Sequence, residues 1–150
     1  VRTGRWYYEV LVLGGQERGL EVGWASREGT PGSGGWSGTR AQYTASAVQA
    51  TTPPGVPLSR LPRPRVPWTS GVRLGVWLDC GAGTFAISVD GGPQTQICER
   101  VRAQEGLYPC VQLDMGRAVH VIFEESELLW RPPDYEALAK GVSDARLRRH

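Results

Sequence analysis

The sequence predicts an all-β protein whose strands form the walls of a sandwich, and three observations carry that expectation. The 150 residues include 20 glycines and 11 prolines, which break helices and separate short strands by turns. Between these breaks lie runs of β-branched and aromatic residues alternating with polar or small ones, the period of a half-buried strand. Two such runs stand back to back between Val72 and Pro93: Leu74 to Cys80 and Thr84 to Val89, joined by Gly81-Ala82-Gly83 and ended by Asp90-Gly91-Gly92. They predict a central antiparallel hairpin. Leu74, Val76 and Leu78 fall on one face with Trp77 and Asp79 opposite, so both faces are expected to be covered, the second by a loop or the chain terminus. In the next strand Phe85, Ile87 and Val89 alternate with Thr84, Ala86 and Ser88, giving one apolar face and one of small residues.

The other elements follow in order. Arg5 to Leu13 reads as a strong strand with Trp6, Tyr8, Val10 and Val12 on one face and Tyr7, Glu9, Leu11 and Leu13 on the other. Leu20 to Ala25 is a second strand, in which Gly23 allows close approach of a neighbour; the two are expected to pair as a hairpin. Ser26 to Ser46 has loop composition, yet Trp36 and Tyr43 carry enough apolar area to dock. Ala50 to Pro67 holds six prolines and reads as an extended, poorly paired surface segment. Gln94 to Cys98 is a short strand, and Glu99 to Glu105 a charged connector. Leu107 to Leu113 and Ala118 to Phe123 are expected to form another hairpin, across Asp114-Met115-Gly116-Arg117. Leu128, Leu129 and Trp130 anchor the close of the sandwich. After Pro132-Pro133, Asp134 is expected to cap a short, weakly docked helix with Tyr135, Leu138 and Val142 on one face. One domain is therefore expected, a sandwich over 1–133 with a helical tail over 134–150.

Net charge is only +2, but all the basic residues except Lys140 are arginine, the cation suited to planar and stacking contacts, although base composition alone can produce the same bias. Cys80, Cys98 and Cys110 cannot all pair with one another and lie in or beside apolar runs, the pattern of buried thiols in a reducing compartment. No signal peptide and no run of membrane-span length is legible, and the chain opens without Met, as a piece of something longer would. An intracellular module is the expectation, cytoplasmic rather than nuclear.

The segments Gly4 to Val12 (G-R-W-Y-Y-E-V-L-V), Val22 to Ala25 (V-G-W-A), Gly71 to Gly91, Leu107 to Leu113 (L-Y-P-C-V-Q-L) and Val119 to Phe123 (V-H-V-I-F), in this order and spacing, resemble an SPRY domain. The L-D-C-G-A-G-T segment is similar to the hairpin shared by tripartite-motif proteins, butyrophilins, ryanodine receptors and ubiquitin-ligase subunits. The opening strand and V-G-W-A look more like the ryanodine-receptor and ligase-associated type, and no PRY extension is evident. Asp90-Gly91 stands where Asn-Gly is common, and Phe123-Glu124-Glu125 replaces a frequent N-F-G ending. The resemblance implies a bent β-sandwich of two antiparallel sheets, a concanavalin-like jelly roll, that acts as a protein-recognition scaffold, with specificity in loops at one end and no catalysis.

The residues themselves support no enzyme. His120 is the only histidine within the predicted fold and alternates with Val119 and Val121, the setting of a hydrogen-bonded wall histidine. Pairings such as Asp79 with Cys80, or Asp90 with Asp114, have no companion residue that makes a site. No C-x-x-C, H-x-x-x-H or carboxylate cluster points to a metal, no P-loop or dinucleotide pattern points to a phosphate, and no cofactor is expected. The two P-x-x-P matches, Pro54 to Pro57 and Pro64 to Pro67, lack the flanking basic residue of an SH3 ligand.

Two binding functions remain. One is a protein-interaction module contacting a peptide segment or a neighbouring domain through Arg27, Trp36, Arg40, Tyr43, Arg60, Arg63, Arg65, Trp68 and Asp90, since Trp, Tyr and Arg are the usual interface anchors. Docking within its own polypeptide, as in a large channel or a ligase subunit, is a variant of that reading. The other is a glycan or single-stranded nucleic-acid binder stacking on Trp36, Tyr43 or Trp68 beside Arg60, Arg63 and Arg65. The near-neutral charge disfavours nucleic acid, and no membrane contact is expected. Each aromatic can instead fill the core, most readily Trp6, Trp24 and Trp77, which lie in strands.

Overall fold

The computed structural model describes residues 1–14, 19–26, 41–60 and 67–141. Among these residues are ten strands: β1 (Arg5–Gly14), β2 (Leu20–Ser26), β3 (Gln42–Ala45), β4 (Ala50–Thr51), β5 (Arg73–Asp79), β6 (Thr84–Val89), β7 (Thr95–Cys98), β8 (Leu107–Leu113), β9 (Ala118–Ile122) and β10 (Glu136–Ala137). They build two sheets, one ordered β10-β1-β5-β6-β7 with β9 also on β1, the other ordered β4-β3-β2-β8. β1 is long enough to hold β5 along one edge while β10 and β9 share the other, β10 parallel at Trp6 and Tyr7 and β9 antiparallel from Glu9 to Gly14.

The central hairpin forms as expected, with Leu74 opposite Val89 and Leu78 opposite Phe85. The other two expected hairpins do not. β1 pairs with β5, β9 and β10 whereas β2 pairs with β3 and β8, and β8 and β9 likewise lie in opposite sheets. Alternation shows that each strand has an inner face, but it is blind to whether the next strand lies beside it or across the sandwich.

Tyr8, Val10 and Val12 from β1, Leu20, Val22 and Trp24 from β2, Leu74, Val76 and Leu78 from β5, and Phe85 and Ile87 from β6 form the core between the sheets. Val119 and Val121 pack against it half-buried. Gly23 is closely crowded: a Cβ there would lie 2.0 Å from the carbonyl oxygen of Tyr43 in the neighbouring strand β3, and from the other sheet the Tyr8 hydroxyl donates to the Gly23 carbonyl at 2.6 Å. Only glycine fits that position.

Beyond β9 the chain crosses the outer face of the first sheet as a strap and pairs as β10; the expected short C-terminal helix is present, from 138 to 141 among the described residues, but its approach and docking differ from expectation. Asp134 does not cap a helix; its carboxylate accepts from the Arg5 guanidinium at 2.9 Å. Ala137 and Leu138 are buried, so this end is integrated into the sandwich rather than weakly docked. Val142 lies outside the described residues.

Candidate functional site

The pairing registers define two ends of the sandwich. Leu20 opposes Leu113 at one end of the second sheet and Ser26 opposes Leu107 at the other, about 20 Å away at the rise of an extended strand. The Leu20 end also carries the Ser46–Gln49 turn, the Asp114–Arg117 connection and the Asp90-Gly91 turn. The Ser26 end carries the 80–83 turn and the connector before β8.

At the Leu20 end a cleft of about 450 Å³ is lined by Gly19, Leu20, Glu21, Ser46, Gln49 and Asp114, among others. Two hydrogen bonds shape its walls. The Ser46 hydroxyl accepts from the Gln49 amide at 3.0 Å and fixes the turn, and the Asp114 amide donates to the Gly19 carbonyl at 2.8 Å. Val48, 80% exposed, and the fully exposed Met115 stand at this end with no apolar cover. Glu21 and Asp114 give the cleft acceptor chemistry, so it suits a donor-bearing or cationic segment.

Of the sequence-predicted contact residues, the four that are described, Tyr43, Arg60, Trp68 and Asp90, do not share one surface. Tyr43 is 1% exposed in β3, with its ring in the core and its hydroxyl accepting from the Arg102 amide at 3.2 Å near the Ser26 end. Trp68 is 5% exposed, and its carbonyl accepts from Arg117 at 3.0 Å. Both were expected on the surface and are core residues instead, because aromatic rings of this size bury more area here than a loop could offer them. Asp90 is exposed at the Leu20 end, where its carboxylate accepts from the Arg73 amide at 2.8 Å and its φ of 49° starts a tight turn. Arg60 is exposed beside β7, where Ser59 donates to the Ile97 carbonyl. Arg27, Trp36, Arg40, Arg63 and Arg65 lie outside the described residues. The segment that holds the first three is anchored at Ser26 and Ala41, the end opposite Asp90.

A second cluster escaped the sequence reading. Glu9 is 0% exposed on the outer face of β1 and is ion-paired with Arg73. Its carboxylate also accepts from the Tyr7 hydroxyl at 3.1 Å and from the amides of Leu129 and Trp130 at 3.0 and 2.9 Å. Burial, then the adjacent Glu9 charge, push the Tyr7 phenol above its ordinary range, which keeps it a donor. Trp130 lies on Gly91, where a Cβ would come within 2.6 Å of its indole nitrogen, and Tyr135 meets Trp77 edge to face at 5.0 Å. The strap is thereby fastened by polar bonds at its middle and aromatic contacts on either side. The available signal was a lone carboxylate on a face otherwise made of Tyr7, Leu11 and Leu13.

Reactive chemistry is weak among the described residues. Burial pushes Cys80 up to about 11 and Cys98 up to about 12, far from a nucleophilic thiolate at neutral pH. His120 is exposed on β9. Among the described residues no group of His, Cys, Asp or Glu could hold a metal ion. Among them, too, no helix is long and apolar enough to cross a membrane.

Two packed sheets that carry loops at both ends define a fold of the β-sandwich class. The chain belongs to the SPRY domain family, whose model matches residues 5–126. It is similar in structure to the SPRY domain of human HERC1, with a TM-score of 0.56 and 20% sequence identity over 81% of this chain and 76% of that one, a likeness of fold. No curated protein matched the sequence. SPRY domains are protein-interaction modules and are generally non-catalytic.

Proposed function

We propose that this SPRY domain binds a peptide segment of a protein partner, or of a neighbouring domain, at the Leu20 end of the sandwich. The observation that carries the reading is the cleft between Gly19–Glu21, the Ser46–Gln49 turn and Asp114, with Val48 and Met115 exposed beside it. Glu21 and Asp114 accept hydrogen bonds from an arginine, lysine or amide side chain of the segment, and the exposed apolar pair covers a neighbouring apolar residue. Asp90 extends the acidic character of this end.

The test compares capture from cell lysate by the wild-type domain and by Glu21→Arg with Asp114→Arg. A partner lost from the double variant at unchanged Tm, and retained by Arg60→Glu, supports this end. Retention of every partner by the double variant places recognition elsewhere on the domain. For a purified segment, Val48→Ala should weaken binding by about 1 kcal/mol.

A further inference from the structure

Among the described residues two that are not glycine have positive φ, Asp90 at 49° and Arg100 at 63°. Aspartate tolerates that conformation because its short carboxylate bonds to backbone close by, and Asp90 accepts from the Arg73 amide across its hairpin; arginine has no such compensation. The fold demands the bend at Arg100, since Cys98 and Val101 are buried on either side of it and the Val101 amide donates to the Gly83 carbonyl at 2.9 Å. It does not demand arginine, because glycine or asparagine would take the same backbone with less strain. The Arg100 side chain is exposed and makes no hydrogen bond or ion pair, so nothing in the packing calls for it. Burial of Val101 brings Arg102 out at the surface as well, equally unpaired. At this same Ser26 end a Cβ on Gly106 would lie 3.4 Å from the Arg2 Nε, and Tyr108 stands 53% exposed at the second position of β8. Two carboxylates of this end are already engaged, Asp79 by Arg5 and the Ala82 amide, and Glu99 by Gln96.

A strained position occupied by a side chain that the fold does not use points to a use outside the fold. We propose that the Ser26 end is a second recognition surface, where Arg100 and Arg102 take a short acidic segment of a protein partner. Each guanidinium presents a planar fork of donors that matches a carboxylate, and Tyr108 offers an aromatic face to an apolar residue of the segment. The positive field is local. Glu99 adjoins Arg100, Asp79 and Asp134 lie on Arg5 at the same end, and the whole chain has a net charge of only +2. A few carboxylates on a short segment fit such a spot, whereas the continuous charge of a nucleic acid or an anionic membrane would also meet the bordering acids. The two ends of the sandwich thus carry opposite chemistry, acceptors around Glu21 and Asp114 and donors around Arg100 and Arg102. This surface is separate from the cleft and does not depend on it.

The probe is a nine-residue peptide with glycine and serine at each end of Glu-Glu-Leu-Glu-Glu, set against the same peptide with glutamine for each glutamate. The glutamate form should bind this chain more tightly than the glutamine form and lose affinity as salt rises. Arg100→Glu with Arg102→Glu should weaken it roughly tenfold or more, while Arg60→Glu, and Glu21→Arg with Asp114→Arg, should not weaken it. Arg100→Asn separates recognition from folding: it keeps the backbone conformation and removes the charge, so binding should weaken while Tm stays level or rises. A lower Tm for Arg100→Asn would give the side chain a structural role and overturn the proposal. Equal binding of the two peptides, no binding at millimolar peptide, or an equal loss with Arg60→Glu also overturns it. So does tighter binding of oligothymidylate or of phosphatidylserine vesicles than of the glutamate peptide, which would give the surface to nucleic acid or to a membrane.

Discussion

On its inner face β5 sets Leu74, Val76 and Leu78 against the core, and on its outer face Arg73 and Trp77 lie beneath the strap. Both faces are covered, by unlike forces. The inner face is held by apolar area removed from water, which is insensitive to exact angles and tolerates exchange among residues of similar volume. The outer face depends on one carboxylate whose acceptor sites are filled by Arg73, Tyr7 and two backbone amides. Its strength comes from complete satisfaction, and a half-satisfied version would be worse than none. One strand thus shows a tolerant side and an intolerant side.

Substitutions on the two faces sharpen the contrast. Phe85→Ala, on the inner side, should destabilise the domain by about 3 to 5 kcal/mol and lower the whole unfolding transition without altering its cooperativity. A Tm unchanged by that substitution would break the assignment of the inner face. Glu9→Ala should cost about 3 kcal/mol, because Arg73 and the two strap amides lose their acceptor together. Its signature is local: exchange at Leu129 and Trp130 should quicken well below the global transition, and if it tracks global unfolding the strap is not a separable unit. Glu9→Gln, which keeps an acceptor oxygen, should fall between wild type and Glu9→Ala.

The smallest effect is a pH dependence on the inner side. Cys98 titrates near 9 when unfolded and is pushed up to about 12 by burial, so between those values the unfolded chain binds fewer protons than the folded one. The Cys98 contribution is complete below pH 9 and is lost as pH rises towards 12, about 1 kcal/mol by pH 10. Denaturant titrations of the wild type and Cys98→Ala from pH 7 to 10 should diverge in slope only above pH 9. The three thiols form no disulfide, so a reductant should change neither protein.

The inner face was legible in the sequence and the outer face only in part. Period-two alternation in β1, β5 and β6 identifies the core residues because burial of an apolar side chain leaves a mark at every second position. That β5 would be covered on both sides was legible from Trp77 and Asp79. The identity of the cover was not, since a strap that docks through its backbone amides leaves no pattern in its own side chains. Glu9 was assigned a face but no partner for the same reason: Arg73, Leu129 and Trp130 are distant in sequence, and no local rule joins them to it. The two false hairpins share this origin, because strand succession is local and sheet membership is not. At the candidate site, Tyr43 and Trp68 were singled out by type, and type alone cannot separate an interface aromatic from a core one. The cleft at Gly19 and Asp114 was missed because it is made by a meeting of turns.

The position of Glu9 also sets an order of events during synthesis. β1 leaves the ribosome before its partners in β5 and β9 and before the amides that donate to its carboxylate, which come much later in the chain. A nascent chain halted before Leu129 would hold a sheet whose central carboxylate has Arg73 and Tyr7 but lacks its two amide donors, and the last bonds to form would be those that close over β1. Folding of this domain is therefore expected to complete after translation of the strap, in a single late step, and a chaperone that shields β1 until then would act on the stretch Trp6 to Val12.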